Sequence, residues 1–277
     1  MTTLHALLMA VLQGVTELFP VSSLGHAVIV PRLMGWGDID QKAASYLPFV
    51  VALHLGTAVA ALVYFWRDWL AMAMAVLGQG DAQAVQRERR MFVLVAAATI
   101  PAVVIALAFE KIIRGFFAAP VLAAAFLAVN GVVLFVGERR RRQGGSRKLE
   151  SLSWGDAVVI GLAQATALIP GISRSGATMV AGLLRGLHHE DAARFSFLIA
   201  TPIILGAGVH ELPKLAHQGL SGVAGLAAVA GMAAGATAFL AIWVLMRYFR
   251  GNDAKALDPF AWYCWAAGGL SLAMLAL

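Results

Sequence analysis

The chain has 277 residues, of which 60% are hydrophobic and 13% are charged, and its mean hydropathy is +0.79. Soluble domains carry about 25% charged residues, so this composition excludes an ordinary soluble domain and predicts an integral membrane protein. The net charge of +6 does not indicate nucleic-acid binding, because the basic residues lie in short loops beside apolar segments, as membrane topology requires. The single cysteine, Cys264, excludes an internal disulfide.

In chain order, the first apolar region is 4–33, which carries proline, glycine and clustered polar residues near its middle. Region 155–184 has the same character. We interpret each as two half-helices joined by a loop at membrane depth, which is tolerated where protein or water surrounds the loop. The other apolar segments are long enough to cross roughly 30 Å of hydrocarbon. They are 47–66, 91–110 and 119–137 in the first half, and 195–212, 222–246 and 258–276 in the second.

The distribution of basic residues predicts the orientation of these segments. Fifteen of them fall on the side of Arg139–Arg142, which we assign to the cytoplasm, and five fall on the other side. The cytoplasmic set also contains Arg67, Arg87, Arg89, Arg90, Arg147, Lys148, Arg185, Arg194, Arg247, Arg250 and Lys255. The outer set is Arg32, Lys42, Lys111, Arg114 and Lys214. This asymmetry favours a topology in which region 155–184 enters and leaves the membrane on the same side.

The two interrupted regions resemble each other. Gln13 precedes the run Pro20–Gly25, and Gln164 precedes the similar run Pro170–Gly176. We therefore expect a first repeat over 1–137, a basic cytoplasmic linker over 138–150 and a second, inverted repeat over 151–277. The predicted fold is an all-α integral membrane protein with six transmembrane helices plus two re-entrant helix-loop-helix pairs in an inverted-topology repeat. Such repeats place a site near the midplane, where they meet.

The second loop predicts an anion site. Its polar residues follow Pro170-Gly171 and precede an apolar segment, and a helix N-terminus there would favour negative charge. Arg174 offers a planar pair of donors that suits phosphate oxygens. The substrate-binding candidates of this loop are Ser173, Ser175, Gly176 and Thr178. The structural alternative is that the serines and threonine cap the half-helix while Arg174 pairs with a carboxylate, or that the Thr178 hydroxyl only packs.

The first loop supplies reactive groups. Glu17 is a candidate base or ligand of a divalent cation, and His26 has a side chain that titrates near neutrality. Ser22 and Ser23 are candidate nucleophiles if a base lies within hydrogen-bond reach. Our preferred interpretation is attack by Ser23 with His26 as base, and attack by His26 itself or by a water is the alternative. Gln13 shares a helical face with Glu17 and is a further substrate-binding candidate.

Other polar residues carry weaker signals. We expect His54, Thr57 and Asn130 to bridge helices rather than to do chemistry. We expect His188–Asp191 to be a solvated cytoplasmic loop that caps the next helix rather than a metal site.

Two signatures resemble the undecaprenyl-diphosphatase family of bacterial membrane phosphatases, associated with bacitracin resistance. They are Gly14–His26, reading GVTELFPVSSLGH, and Pro170–Thr178, reading PGISRSGAT. The resemblance covers nearly the whole chain and implies hydrolysis of undecaprenyl diphosphate, which recycles the lipid carrier for cell-wall polymers. It also implies a divalent cation, Mg²⁺ or Ca²⁺, and a site facing the outer side of the plasma membrane. Gln13 stands where the family often has Glu, which removes one carboxylate.

The residues leave a second class of function open. A secondary transporter or lipid-carrier flippase would also use inverted repeats and broken helices. It would not need serines and a histidine beside an anion clamp. The partners expected are the polyprenyl diphosphate substrate and membrane lipids. A homodimer is one assembly that the sequence allows.

Overall fold

A computed structural model describes residues 1–41, 43, 45–109, 115, 119–141, 147–217 and 221–276, except for the side chains of 211–217 and 221–223. The orientation assignments of Lys42, Lys111, Arg114 and Arg142 lie outside these residues, as does the side chain of Lys214.

The described part of the chain is helical and contains no strand, apart from one isolated bridge between Arg147 and Leu187. The first half holds α1 (Thr3–Leu18), α2 (Ser23–Leu33), α3 (Tyr46–Tyr64), α4 (Trp66–Val76), α5 (Ala82–Ala108) and α6 (Pro120–Arg140). The second half holds α7 (Trp154–Thr166), α8 (Arg174–Leu184), α9 (His189–His217), α10 (Ser221–Gly251) and α11 (Asp258–Ala276). The prediction of an all-α membrane protein is confirmed.

Five helices of the described chain are long and apolar enough to cross a membrane. They contain Tyr46–Tyr64, Ala82–Ala108, Pro120–Arg140, His189–His210 and Ala224–Gly251, and each overlaps a predicted span. The sixth predicted span, 258–276, forms helix α11 but is not among the five. Its N-terminal half carries Asp258, two tryptophans and Tyr263, which lower its hydropathy. A sixth crossing therefore stays a prediction.

Both interrupted regions form two helices with a short break between them, as the sequence predicts. Helix α1 ends at Leu18, just before Pro20, whose ring removes a backbone donor. Ser22 then caps α2 by accepting a hydrogen bond from the Gly25 amide, with φ at +68°. That φ is uncommon for a residue with a Cβ and costs on the order of 1–3 kcal/mol.

The second break is built in the same way. Ser173 caps α8 by accepting a hydrogen bond from the Gly176 amide. Gly171 has φ at +102°, and a Cβ there would lie 2.3 Å from the carbonyl oxygen of Ala123. Glycine is required at this position both for its φ and for the close approach of α6. The break is therefore held tightly against the first half of the chain.

Close helix contacts fix the frame around the two breaks. Helix α3 packs against α10 so closely that a Cβ on Gly56 would lie 1.9 Å from the Gly231 carbonyl oxygen. Helix α1 also packs against α10, and α7 packs against α5. Small residues at such crossings are typical of helices that associate within membranes. The interrupted helices are thus anchored on long helices rather than on loops.

The predicted cytoplasmic end is closed by an ionic cluster. His189 is 2% exposed, and its ring lies between Glu138 (2.7 Å) and Asp253 (2.9 Å). Arg141 also bonds Asp253, at 2.6 Å. Burial raises the pKa of the Asp253 carboxyl, but hydrogen bonds from His189 and His188 outweigh burial and hold that pKa well below its usual value. The predicted helix start at this point is confirmed, but the prediction that His189 is solvated is wrong, because its ring is buried.

Candidate functional site

The two breaks lie against each other, and hydrogen bonds join them directly. The Gly171 amide donates to Ser22 Oγ at 3.2 Å. In the opposite direction, Ser175 Oγ donates to the Phe19 carbonyl at 3.0 Å. The N-termini of α2 and α8 are therefore held side by side, and each carries a partial positive charge of about half a unit.

Asn130, on α6, joins both breaks through one side chain. Its Nδ2 donates to the Pro20 carbonyl and its Oδ1 accepts from the Ser173 amide, both at 2.9 Å. Asn130 is fully buried. An amide can donate and accept at once, which few side chains of this size can do. Asn130 therefore fixes the spacing of the two breaks.

The carboxylate of Glu17 is the centre of the polar set that faces these helix ends. Its Oε1 accepts from Arg174 Nη2 at 2.7 Å. Its Oε2 accepts from Ser23 Oγ at 2.5 Å and from Gln13 Nε2 at 2.9 Å. His54 Nε2 lies 3.3 Å from the same Oε2. One buried carboxylate thus connects α1, α2, α3 and the start of α8.

Two buried polar atoms beside this carboxylate have no hydrogen-bond partner among the described residues. They are Gln13 Oε1 and Arg174 Nη1. A buried polar atom without a partner costs about 1–3 kcal/mol, so such atoms are uncommon in folded proteins. Here they offer one acceptor and one charge-bearing donor next to the Ser23 hydroxyl. Arg174 Nη1 can donate to a phosphate oxygen of a ligand. Gln13 Oε1 can accept from an acidic proton of that ligand or from a water.

His26 is close to this set but has other partners. Its Nδ1 lies 2.7 Å from the Ser22 carbonyl oxygen, so Nδ1 carries a proton. Its Nε2 lies 2.8 Å from the Tyr263 hydroxyl, on α11. In the neutral ring Nε2 is then an acceptor that Tyr263 already uses. The predicted Ser23–His26 hydrogen bond is therefore not formed, and Ser23 contacts Glu17 instead.

Several predicted substrate-binding residues have structural partners. Ser22 and Ser173 cap helices, and Ser175 is buried against Phe19. Thr178 Oγ1 bonds the Arg174 carbonyl at 2.8 Å and Ser196 Oγ at 2.6 Å. These hydroxyls shape the loops from within. The Gly176 amide donates to Ser173 Oγ, so this capping bond is also internal.

Three further residues belong to the surroundings of Glu17 and His26. His54 contacts Glu17, Tyr263 contacts His26, and Asn130 joins the two breaks. His54 and Asn130 each gave a signal in the sequence, because each is polar within an apolar helix. Both bridge separate parts of the chain, as predicted, but the sequence did not indicate that they do so at this site. Tyr263 gave none, since aromatic residues are common near membrane interfaces.

The arrangement has the parts of a phosphoryl-transfer site. The Ser23 hydroxyl already donates its proton to a carboxylate. Arg174 donates to Glu17 through Nη2, while Nη1 has no partner in the part of the chain that the structure describes. A nucleophile is activated when a base takes its proton. Positioned Arg stabilises the negative charge of a transferring phosphoryl group.

Comparisons with known proteins identify the family of the chain. The model of the family described as "Bacitracin resistance protein BacA" matches residues 6–270. A protein of Acidiphilium cryptum named "Undecaprenyl-diphosphatase" is 53% identical over 99% of both chains. One of Granulibacter bethesdensis with the same name is 51% identical over 99% of this chain and 97% of its own. One of Mycolicibacterium paratuberculosis is 43% identical, again over 99% and 97%. The chain therefore belongs to the BacA family of bacitracin resistance proteins.

Proposed function

We propose that this protein hydrolyses undecaprenyl diphosphate to undecaprenyl phosphate and inorganic phosphate in the bacterial plasma membrane. The observation that carries the proposal is one buried carboxylate, Glu17, bonded both to the Ser23 hydroxyl and to the Arg174 guanidinium. The names of the relatives supply the substrate. Hydrolysis would return the lipid carrier to the synthesis of peptidoglycan and other wall polymers.

Arg174 is the proposed clamp for the diphosphate. Its Nη2 holds Glu17, while its buried Nη1 has no partner among the described residues. Nη1 would bind an oxygen of the terminal phosphate, close to the N-terminus of α8. The positive ends of α2 and α8 add to the attraction of the anion. The guanidinium thereby sets the distance between the phosphorus atom and Ser23.

Ser23 is the proposed nucleophile and Glu17 its base. Ser23 Oγ forms a bond to the terminal phosphorus as its proton moves to Glu17 Oε2. The bridging P–O bond breaks, and its electron pair leaves with undecaprenyl phosphate. A water then attacks the phosphorus of the phosphoserine, the Ser23 Oγ–P bond breaks, and Glu17 returns its proton to Ser23 Oγ. The products are inorganic phosphate, which keeps the protons of the water, and the original Ser23 and Glu17. Gln13 Oε1, which has no partner among the described residues, can accept a hydrogen bond from this water.

His26 supports the site rather than acting as the first base in this scheme. Its bond to the Ser22 carbonyl holds the residue that precedes the nucleophile, and Tyr263 fixes its ring. Direct attack by His26 is the alternative mechanism. It requires that Tyr263 release Nε2 and that the phosphorus approach from the α11 side.

The divalent cation that the resemblance implies does not fit Glu17 as a resident ligand. Oε2 already accepts from Ser23 and Gln13, and Oε1 is engaged by Arg174. No group of three or more His, Cys, Asp or Glu side chains in the described chain could hold a metal ion. We therefore propose that Mg²⁺ or Ca²⁺ arrives on the diphosphate, as part of the substrate.

We also propose the finer topology: six crossings, two re-entrant pairs and an inverted repeat. In an inverted repeat, helices α1, α3 and α5 of the first half would correspond to α7, α9 and α10 of the second. The contact of α1 with α10 then corresponds to that of α7 with α5, and the contact of α3 with α10 corresponds to that of α9 with α5. All four contacts exist. The match of two helix-break-helix units with similar caps adds to this support. The site would then face the outer side of the membrane. The homodimer is a prediction that mass determination in detergent can test.

Labelling of single cysteines tests this topology. In a Cys264→Ser background, Lys42→Cys and Lys214→Cys should react with an impermeant reagent on intact cells. Arg140→Cys and Arg185→Cys should react only after permeabilisation, because both side chains are exposed at the predicted cytoplasmic end. Reaction of Arg185→Cys from outside would show that 155–184 crosses the membrane, and the inverted repeat would be wrong.

Release of inorganic phosphate tests the function. Purified protein in detergent, given undecaprenyl diphosphate and Mg²⁺, should release phosphate without any ion gradient. A transporter or lipid-carrier flippase needs two compartments and would release none. Absence of phosphate, with transbilayer movement of the lipid in vesicles, would favour that alternative.

A further inference from the structure

We propose that His54 is a positioning residue of this site, which carries a second proton on its ring and thereby keeps Glu17 ionised as the base for Ser23. The inference rests on the proposed function and deepens it. His54 lies on α3, in the first membrane-spanning segment, where the sequence alone indicated only helix bridging.

Two contacts of the ring determine its protonation. Nδ1 lies 2.8 Å from the Val50 carbonyl oxygen, which can only accept, so Nδ1 carries a proton. Nε2 lies 3.3 Å from Glu17 Oε2, which also accepts when Glu17 is ionised. Two lone pairs facing each other at this distance would repel, and a proton between them would remove the repulsion. Placed on Nε2, it makes His54 a cation.

The Glu17 charge favours the proton on His54, whereas the Arg174 charge opposes it. The described charged groups that interact with this ring are Glu17, from α1, and Arg174, from the start of α8. Glu17 is buried, and an ionised carboxylate is stable in such a place only with charged or hydrogen-bonded partners. Arg174 is the first partner, but in the proposed reaction it also binds the phosphate. His54 gives Glu17 a partner of its own.

The proton balance of the step is simple. The Ser23 O–H bond breaks and a Glu17 O–H bond forms, while Ser23 Oγ bonds phosphorus and the bridging oxygen leaves with its electron pair. His54 keeps both of its protons throughout. Its charge lowers the cost of holding Glu17 ionised before the step and leaves one positive charge near the transferring phosphoryl group afterwards.

His54→Gln tests the proposal, because glutamine can donate to Glu17 but carries no charge. We expect kcat to fall by about 10²-fold, the lower end of what general-base catalysis contributes, with KM little changed. Thr57→Val, a buried substitution one turn further along α3, is the control. Its hydroxyl donates to the backbone carbonyl of His54 and not to the ring, so the variant should keep the rate.

Several outcomes would overturn the proposal. They are near wild-type kcat in His54→Gln, a loss that appears in KM instead of kcat, or an equal loss in Thr57→Val, which would indicate a packing effect. Phosphate release by the wild type is measured in parallel, so failure of the proposed function is recognised separately.

If His54→Gln does not fold, nitrogen NMR of ¹⁵N-histidine-labelled wild-type protein decides. Among the histidines whose two ring nitrogens are protonated near neutral pH, one should lose this state in Glu17→Gln, and a histidine such as His189, which contacts other carboxylates, should not change. Spectra in which no such Glu17-dependent histidine occurs would contradict the proposal.

Discussion

Arg174→Lys is expected to lower turnover by about 10³-fold, the lower range of what a positioned Arg contributes in phosphoryl transfer. Arg174 Nη2 bonds Glu17, and Nη1 has no partner among the described residues. In the proposed mechanism Nη1 binds the phosphate. Lysine keeps the charge but has a single ammonium group on a flexible stem, so it cannot hold both partners in a fixed geometry. Phosphate release by the purified variant at saturating substrate measures the effect.

Arg194→Lys is the matched control. Arg194 also bonds a carboxylate, Asp68, through two of its nitrogens, but it lies outside the site. The turnover of Arg194→Lys should stay within a few-fold of wild type. If the fold had a general need for arginine, the turnover of both variants would fall alike. Near wild-type turnover of Arg174→Lys would disprove the clamp.

Ser23→Ala and Glu17→Gln should each lower the rate by about 10³-fold, which is within the range of general-base catalysis. The double variant should lose little more. The 2.5 Å contact of Ser23 with Glu17 makes them one unit, and residues that act as a unit are not additive. Folding should survive both changes, because alanine and glutamine fit the same space. Single-turnover phosphate release with each variant gives the comparison.

His26→Ala separates the mechanisms in the same assay. If Glu17 is the base, His26→Ala should lose less than Glu17→Gln, because His26 acts through Ser22 and Tyr263. Substantial activity in Ser23→Ala together with an inactive His26→Ala would instead favour attack by His26 or by a water that it activates.

The sequence predicted much of this site, because its chemistry is concentrated in two short polar runs. Glu17, Ser23 and Arg174 were identified as reactive, and the structure brings them together. Proline and serine caps also predicted the two breaks. These signals are local: each depends on residues within one or two helical turns.

The remaining features depend on which helices meet, which local patterns do not determine. His26 was paired with Ser23 because both follow the same break, yet its ring turns to Tyr263, more than 200 residues away. His54 reaches Glu17 only because α3 packs beside α1. The Thr178 hydroxyl, a substrate-binding candidate, forms a hydrogen bond with Ser196 inside the protein. Long-range packing decided each of these cases.

The division of the site between two halves of the chain has a consequence for biogenesis. When the first half has entered the membrane, Glu17 and Ser23 are in place, but Arg174 has not yet been synthesised. In the first half alone, Glu17 can meet His54 on α3 but not Arg174. A buried carboxylate with one of its partners missing is costly, so we expect Glu17 to stay hydrated in the early intermediate. Arrival of Arg174 would then replace that water and lock the two breaks together.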